Sequence, residues 1–465
     1  RLTGRIAAGG GFGKTRLAVE YAHRYGPRYY RGGIFWMNAA SDSIEDEFWR
    51  VLSVLDPGAP DIAAMRAQGR DIRGELERAL RGIGEPALYV IDNIPEAASG
   101  KDPPTIGEFC PALGAVTVVA TSRQDTREEG VQTISVDELE PAAAILLLTE
   151  NVPGAGALSW DEWGRIAAWV GNLPIALDLL NRSLALNSIS AQALLERVNA
   201  PDATEQLDRL GEARRGQVPE GAVHGVTEAF LISFEKLDEQ ARSTAMLLAQ
   251  LAPAPIPEVV LEALPEESRS PAVRAALHSR RFVTPGGDLS FGVMHRLMAD
   301  FLRSRAGERT GELIETACGV LLQVMEPDRC KDPRHWPVMS LCRPHAEALF
   351  ERAVAINGAL VPSATVGLAS AILAREQGDY AGALRLGERV LEVSARVLGE
   401  EHRATLIAMN NLASTLWAQG NYAGARRLVD RVLEVMKREL GEEHPDTLTA
   451  MNNLAETLRA QGDYA

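Results

Sequence analysis

Ala8 to Thr15 (AGGGFGKT) bring together the residue types and spacing that hold a polyphosphate. Glycines let a loop curl until successive backbone N–H groups converge on anionic oxygens. Gly10, Gly11 and Gly13 supply that curl. Lys14 brings an ammonium to the outer phosphates, Thr15 offers a hydroxyl to Mg²⁺, and Arg16 follows at the helix start. The stretch fits G-x-x-x-x-G-K-[ST], with Ala8 in place of the first glycine. A second candidate is Asp92, which closes the apolar run ALYVI (87–91). A carboxylate at the C-terminal end of such a strand is placed to hold Mg²⁺, usually through water. Thr15 and Asp92 therefore form the candidate metal pair. A third is Arg123, which ends the run AVTVVATSR and would bring a guanidinium to a terminal phosphate as a sensor or charge stabiliser. Asp92 and Arg123 are the catalytic candidates. Each also has a plain alternative: a flexible glycine loop, a strand-ending acid, a surface arginine. The surrounding elements have to decide.

Those elements read as α/β. An apolar stripe at Leu17, Ala18, Tyr21 and Ala22 predicts a helix over roughly 14–25, its positive dipole end facing the loop. Strands are predicted at 2–7, 33–39, 87–91, 115–120 and 131–136. Their continuous apolar character suits a parallel sheet covered on both faces. Arg5 breaks the pattern, since it falls where a central strand should be apolar. Asn93 follows Asp92, and an amide can orient water but not take its proton. Glu96 is near in sequence. Slow or negligible hydrolysis is expected.

The 465 residues carry a net charge of −15, which argues against nonspecific binding to nucleic acid or anionic membranes. No apolar run is long enough to span a bilayer. Four cysteines (Cys110, Cys318, Cys330, Cys342) are too few and scattered for a disulfide framework, so a cytoplasmic setting is expected. Three of them lie near His335 and His345, but without a C-x-x-C pair they read as buried thiols rather than zinc ligands. The chain starts at Arg and stops inside a repeat, and so reads as part of a longer protein.

The C-terminal region repeats itself. QGDYA at 377–381 recurs as QGNYA at 419–423 and QGDYA at 461–465, a period of 42 residues. LGEEH and MNNLA recur at the same interval. Each unit predicts two helices, roughly 405–418 and 422–440, parted by Gly420. Such units bury their apolar faces only against neighbours.

The order AGGGFGKTRLA, IFWMNA, LYVIDN, VVATSR and GNLPIAL (171–177) resembles the NB-ARC group of STAND ATPases. The repeats resemble tetratricopeptide units of the long kinesin-light-chain type. The resemblance implies a multidomain chain: an α/β P-loop NTPase domain at 1–139, a helical bundle at 140–215, a winged helix at 216–305, a helical linker at 306–361 and an all-α tetratricopeptide solenoid at 362–465. It implies that VIDN holds Mg²⁺, that TSR senses phosphate, that Pro174 packs on adenine, and that His295 in FGVMHRL contacts the β-phosphate of ADP. Arg296 replaces the usual acid there. ADP or ATP with Mg²⁺ would be the cofactor and at most slow ATPase activity the chemistry. The repeats would bind a protein or peptide in a groove faced by Asn411 and Asn453, and the active form would be a homo-oligomer driving an effector outside this chain. Two other readings stay open: a repeat scaffold with a degenerate nucleotide site, and a module of a bacterial transcriptional regulator.

Overall fold

The computed structural model describes residues 3–7, 13–41, 43–95, 104–110, 116–122, 128, 130–136, 138–199, 222–286 and 289–461. Its N-terminal part is a five-stranded parallel sheet. The strands are β1 (Thr3–Ala7), β2 (Ile34–Asn38), β3 (Ala87–Ile94), β4 (Val116–Ser122) and β5 (Gln132–Ser135), in spatial order β2-β3-β4-β1-β5. Period-two alternation sends side chains to opposite faces. Phe35, Met37, Tyr89, Ile91, Val118 and Ala120 share a core with Phe48 and Leu52 of α2 (Ile44–Leu55) and Leu76 and Leu80 of α4 (Ile72–Arg81). The short α3 (Ile62–Ala67) adds Met65. Ile6, Leu88 and Val90 meet Ala18 and Ala22 of α1 (Lys14–Tyr29) on the other face. Connections leave β1 towards β2 and leave β4 across β1 to β5, so the order reverses between β1 and β4. That is where open α/β sheets bind ligands.

The strand carrying Arg5 forms despite its charge. Arg5 is fully buried, and its guanidinium meets the Glu128 carboxylate at 2.6 Å. Glu128 also accepts the backbone N–H of Ile106, the first residue of α5 (Ile106–Phe109). The partner of Arg5 comes from a segment after β4, so strand periodicity alone does not reveal it.

A second, continuous apolar core runs from Ala144 to Leu373. It takes in α6 (Pro141–Thr149), α7 (Trp160–Trp169), α8 (Pro174–Ala185), α9 (Ala191–Asn199), α10 (Val223–Glu235) and α11 (Glu239–Leu248). A small antiparallel sheet follows, in order β6-β8-β7 (Ile256–Pro257, Ser290–Val293, Thr284–Pro285), with α12 (Glu258–Glu262) and α13 (Pro271–Ser279) between its strands. At Gly292, φ is 145° and a Cβ would strike the Thr284 carbonyl, so only glycine fits the hairpin. The core continues through α14 (Arg296–Ala306), α15 (Thr310–Val324), α16 (Pro327–Cys330) and α17 (Trp336–Ile356).

The repeat helices are α18 (Leu360–Glu376), α19 (Tyr380–Leu398), α20 (Arg403–Ala418), α21 (Tyr422–Leu440) and α22 (Pro445–Gln461). The 42-residue period is visible atom by atom. Gly378 and Gly420 adopt φ of 77° and 82° at equivalent turns. Asp379 and Asn421 then cap the next helices through Gly382 N and Gly424 N. Ala383 and Ala425 are both fully buried, where a larger side chain would hold the helices apart.

Candidate functional site

Lys14 and Thr15 open α1 directly after Gly13, whose φ of 81° and ψ of 18° are left-handed. A Cβ on Gly13 would meet nothing within 4 Å, so glycine is needed there for its backbone angles rather than for space. Among the described residues no side chain caps α1, and its first turn holds no acid, whereas Ser43 caps α2 and Asp71 caps α4. The first N–H groups of a helix have no partner within the helix itself.

Asp92 stands near the end of β3, 77 residues from Thr15, yet the Thr15 hydroxyl donates to its Oδ1 at 2.9 Å. The Thr121 hydroxyl, from the end of β4, donates to the same oxygen at 2.6 Å. Thr121 Oγ1 also accepts the Asn93 N–H at 2.8 Å. Asn93 has φ of 63° and lies where the β3–β4 register shifts between Ile91 and Ile94. The amide after Asp92 thus has a backbone reason: asparagine tolerates left-handed φ better than most residues. The Asp92 carbonyl accepts the Ala39 N–H at 2.7 Å, tying the end of β2 to the same spot. A hydroxyl and a carboxylate are hard oxygen donors of the kind that suit Mg²⁺. Among the described residues no cluster of three or more His, Cys, Asp or Glu could hold a metal alone.

Of the remaining candidates, Ala8, Gly10, Gly11, Glu96 and Arg123 lie outside the described residues. Arg16 is exposed on the first turn of α1. Pro174 is the first residue of α8 and His295 caps α14, its Nδ1 accepting the Leu297 N–H at 3.2 Å. Their neighbours Leu173, Ala176, Met294 and Leu297 are buried in the core that runs from Ala144 to Leu373, separate from the two flanking the sheet. Four residues beyond Pro174, Asp178 pairs with Arg281 at 3.3 Å, and the neighbouring Arg280 donates to Ser188. Asn411 donates to the Ile407 carbonyl of its own helix, while Asn453 donates across to Asn410 at 2.9 Å. Asn453, with Arg375, Glu376, Tyr380, Trp417 and Glu456, lines a cavity of about 360 Å³ between repeat helices.

The sequence placed Thr121 in the TSR run but gave no sign that it meets Asp92, nor of an ionic cluster between the sheet and the repeats. Arg66 of α3 pairs with Asp46 at 2.5 Å and Glu45 at 3.0 Å, and donates to the Gln377 carbonyl at 2.9 Å, 311 residues away. Arg343 of α17 lies 3.7 Å from Asp46, 3.3 Å from Asp379 and 3.9 Å from Glu347. Both arginine side chains are under a tenth exposed. Burial works against the Arg66 charge; the Asp46 and Glu45 carboxylates more than offset it and hold its pKa above the ordinary arginine value. The cysteines are buried free thiols, and burial pushes Cys318 and Cys342 up to about 12.

Residues 363–429 and 408–465 match the tetratricopeptide-repeat family. The C-terminal part of the chain is a tetratricopeptide array. The chain also has curated relatives. The chain is 26% identical over 261 residues to a protein named Regulatory protein AfsR from Streptomyces griseus, a match covering 54% of this chain and 24% of that one. It is also 26% identical over 349 residues to a nucleotide-binding leucine-rich repeat (NLR)-like protein from Hyaloscypha variabilis, covering 68% and 33%. The matches thus span a third or less of these relatives' lengths. A solved STAND protein with a tetratricopeptide repeat sensor from Pyrococcus horikoshii aligns over 100% of this chain and 72% of its own, at a TM-score of 0.46 and 14% identity. That likeness is too distant to argue from. A parallel α/β sheet domain at the N-terminal end and a tetratricopeptide array at the C-terminal end make up the architecture shown for this chain. Among the described residues no helix is long and apolar enough to cross a membrane.

Proposed function

We propose that the chain is a nucleotide-dependent signalling switch whose repeats sense a protein or peptide. ADP or ATP binds with its phosphates against Gly10, Gly11, Gly13, Lys14, Thr15 and Arg16. Thr15 and Asp92 hold Mg²⁺, which neutralises phosphate charge when bound. Arg123 faces the terminal phosphate, Pro174 the adenine and His295 the β-phosphate. One observation carries this reading: the Thr15 hydroxyl and the Asp92 carboxylate meet at 2.9 Å beside a helix start that no described side chain caps. Asn93 offers no proton acceptor, so turnover is slow and the bound nucleotide acts as a state marker.

The Arg66–Asp46–Arg343 cluster supports coupling. It joins α2 of the sheet domain to the start of the repeat array, so a ligand that prefers a displaced array shifts the nucleotide domain too. The helices and small sheet at 216–305 act as a winged-helix lever rather than a DNA reader. Arg274, Arg280 and Arg281 are held by Glu258, Ser188 and Asp178, and the chain is acidic. Exchange to ATP would release an oligomerisation surface and an effector beyond this chain.

The test is direct. Protein purified from cells is denatured and the supernatant assayed for ADP and ATP by ion-exchange chromatography; labelled ADP is then titrated into the wild type, Lys14→Ala and Asp92→Asn. Bound nucleotide in the wild type, with a tenfold or greater loss of affinity in Lys14→Ala, supports the switch. No nucleotide and no binding would leave a repeat scaffold, the reading favoured by Ala8 and by the packed repeat helices.

A further inference from the structure

We propose that Thr121 is a positioning residue for Asp92, fixing which carboxylate oxygen is offered to a divalent cation. The inference rests on the nucleotide and Mg²⁺ site proposed above. Thr121 is 1% exposed at the end of β4, so its hydroxyl makes its hydrogen bonds inside the protein rather than to bulk water. The direction of those bonds follows from the partners. The Asn93 N–H can only donate, and the ionised Asp92 carboxylate can only accept. The single Thr121 proton must therefore go to Asp92, and its lone pair must receive Asn93 N–H.

Two consequences follow. Oδ1 of Asp92 receives two hydroxyl donors, from Thr15 and Thr121, among the described residues. Its lone pairs are engaged in that arrangement, and Oδ2 is the oxygen left to turn towards a cation or its water. The second consequence concerns the backbone. The register shift at Asn93 takes its N–H out of the regular β3–β4 ladder, and the Thr121 hydroxyl accepts that N–H instead. Asn93 is thereby held in its left-handed conformation, and the bulge sets the direction in which Asp92 leaves the strand. A β-branched side chain suits this role because its χ1 is stiff. Valine at 121 keeps the branch and the volume but has neither donor nor acceptor, while serine keeps both.

The experiment measures labelled ADP affinity twice for each full-length variant, once with excess Mg²⁺ and once with EDTA. The ratio of the two dissociation constants is the readout. Thr121→Val is expected to keep its EDTA affinity within about twofold of wild type and to lose about tenfold of the Mg²⁺-dependent gain, the size of one misplaced charge-assisted contact. Thr121→Ser is expected to retain the gain, and Asp92→Asn to lose most of it. Mn²⁺ in place of Mg²⁺ should show the same order, and its bound signal in electron paramagnetic resonance reads the site without turnover. Should Thr121→Val fail to fold, Thr121→Ala, which removes the hydroxyl without placing a methyl beside Asp92, carries the same expectation. A Mg²⁺ gain unchanged in Thr121→Val or Thr121→Ala overturns the proposal, as does an equal loss with and without Mg²⁺, which marks a purely structural role. In either case wild-type binding leaves the nucleotide reading standing. A wild type that binds no ADP under either condition overturns both.

Discussion

Arg5 tests the electrostatic reasoning most severely, because a full positive charge sits at 0% exposure in the strand that leads into the phosphate loop. Its carboxylate partner Glu128 is 22% exposed and 2.6 Å away. Removing that partner in Glu128→Ala takes the Glu128 carboxylate away from the buried guanidinium and deprives the Ile106 N–H of its acceptor. Breaking a buried pair from one side costs about 3–5 kcal/mol. Converting both residues in Arg5→Met/Glu128→Met removes both desolvation penalties and is expected to lie within about 1 kcal/mol of wild type. Native-state hydrogen exchange by mass spectrometry reads this locally, in peptides covering 2–7 and 116–122. Protection there should fall by roughly two to four orders of magnitude in Glu128→Ala, since each factor of ten corresponds to about 1.4 kcal/mol. It should recover in the double variant, while the repeat helices keep their protection throughout. Less than a fivefold change in Glu128→Ala would refute the argument. So would a double variant as weakened as the single one, because the cost would then lie in packing rather than in charge.

Three further expectations can be checked. Gly378 and Gly420 occupy equivalent left-handed turns, so alanine at either costs about 1 kcal/mol in backbone strain; only at Gly378 would the new Cβ also press on Arg66, at 3.0–3.1 Å, so that variant alone should raise exchange in α3 and at the sheet–repeat contact. His345 is fully buried, and burial pushes it down to about 4 from an ordinary 6.5, with Arg352 adding to the effect and the bond to the Pro255 carbonyl opposing it. Its folded pKa lies below the unfolded one, so the neutral form's contribution is complete above pH 6.5 and fades as pH falls towards 4, a loss of about 3 kcal/mol; chemical denaturation at stepped pH should show this slope, and His345→Gln should flatten it. The four cysteines are buried, so a thiol reagent at neutral pH should label the native protein slowly and all four rapidly in urea; fast native labelling of Cys318 or Cys342 would contradict their packing.

The sequence on its own determined what depends on near neighbours. Glycines followed by Lys14 and Thr15 imply a loop opening a helix, and α1 begins at Lys14. Apolar runs imply covered parallel strands, and all five begin and end within three residues of where the pattern puts them. The exact 42-residue recurrence fixes paired helices with glycine turns, because each unit repeats the same local contacts. Tertiary structure decided what depends on partners distant in the chain. Strand order places Thr121 beside Asp92 and pairs Arg5 with Glu128. Chain folding across 311 residues brings Arg66 to Gln377. A buried charge or a left-handed asparagine looks like an error along the sequence, because the group that satisfies it reaches it only through folding. Periodicity records which face a residue takes, and only the packed chain supplies what stands opposite.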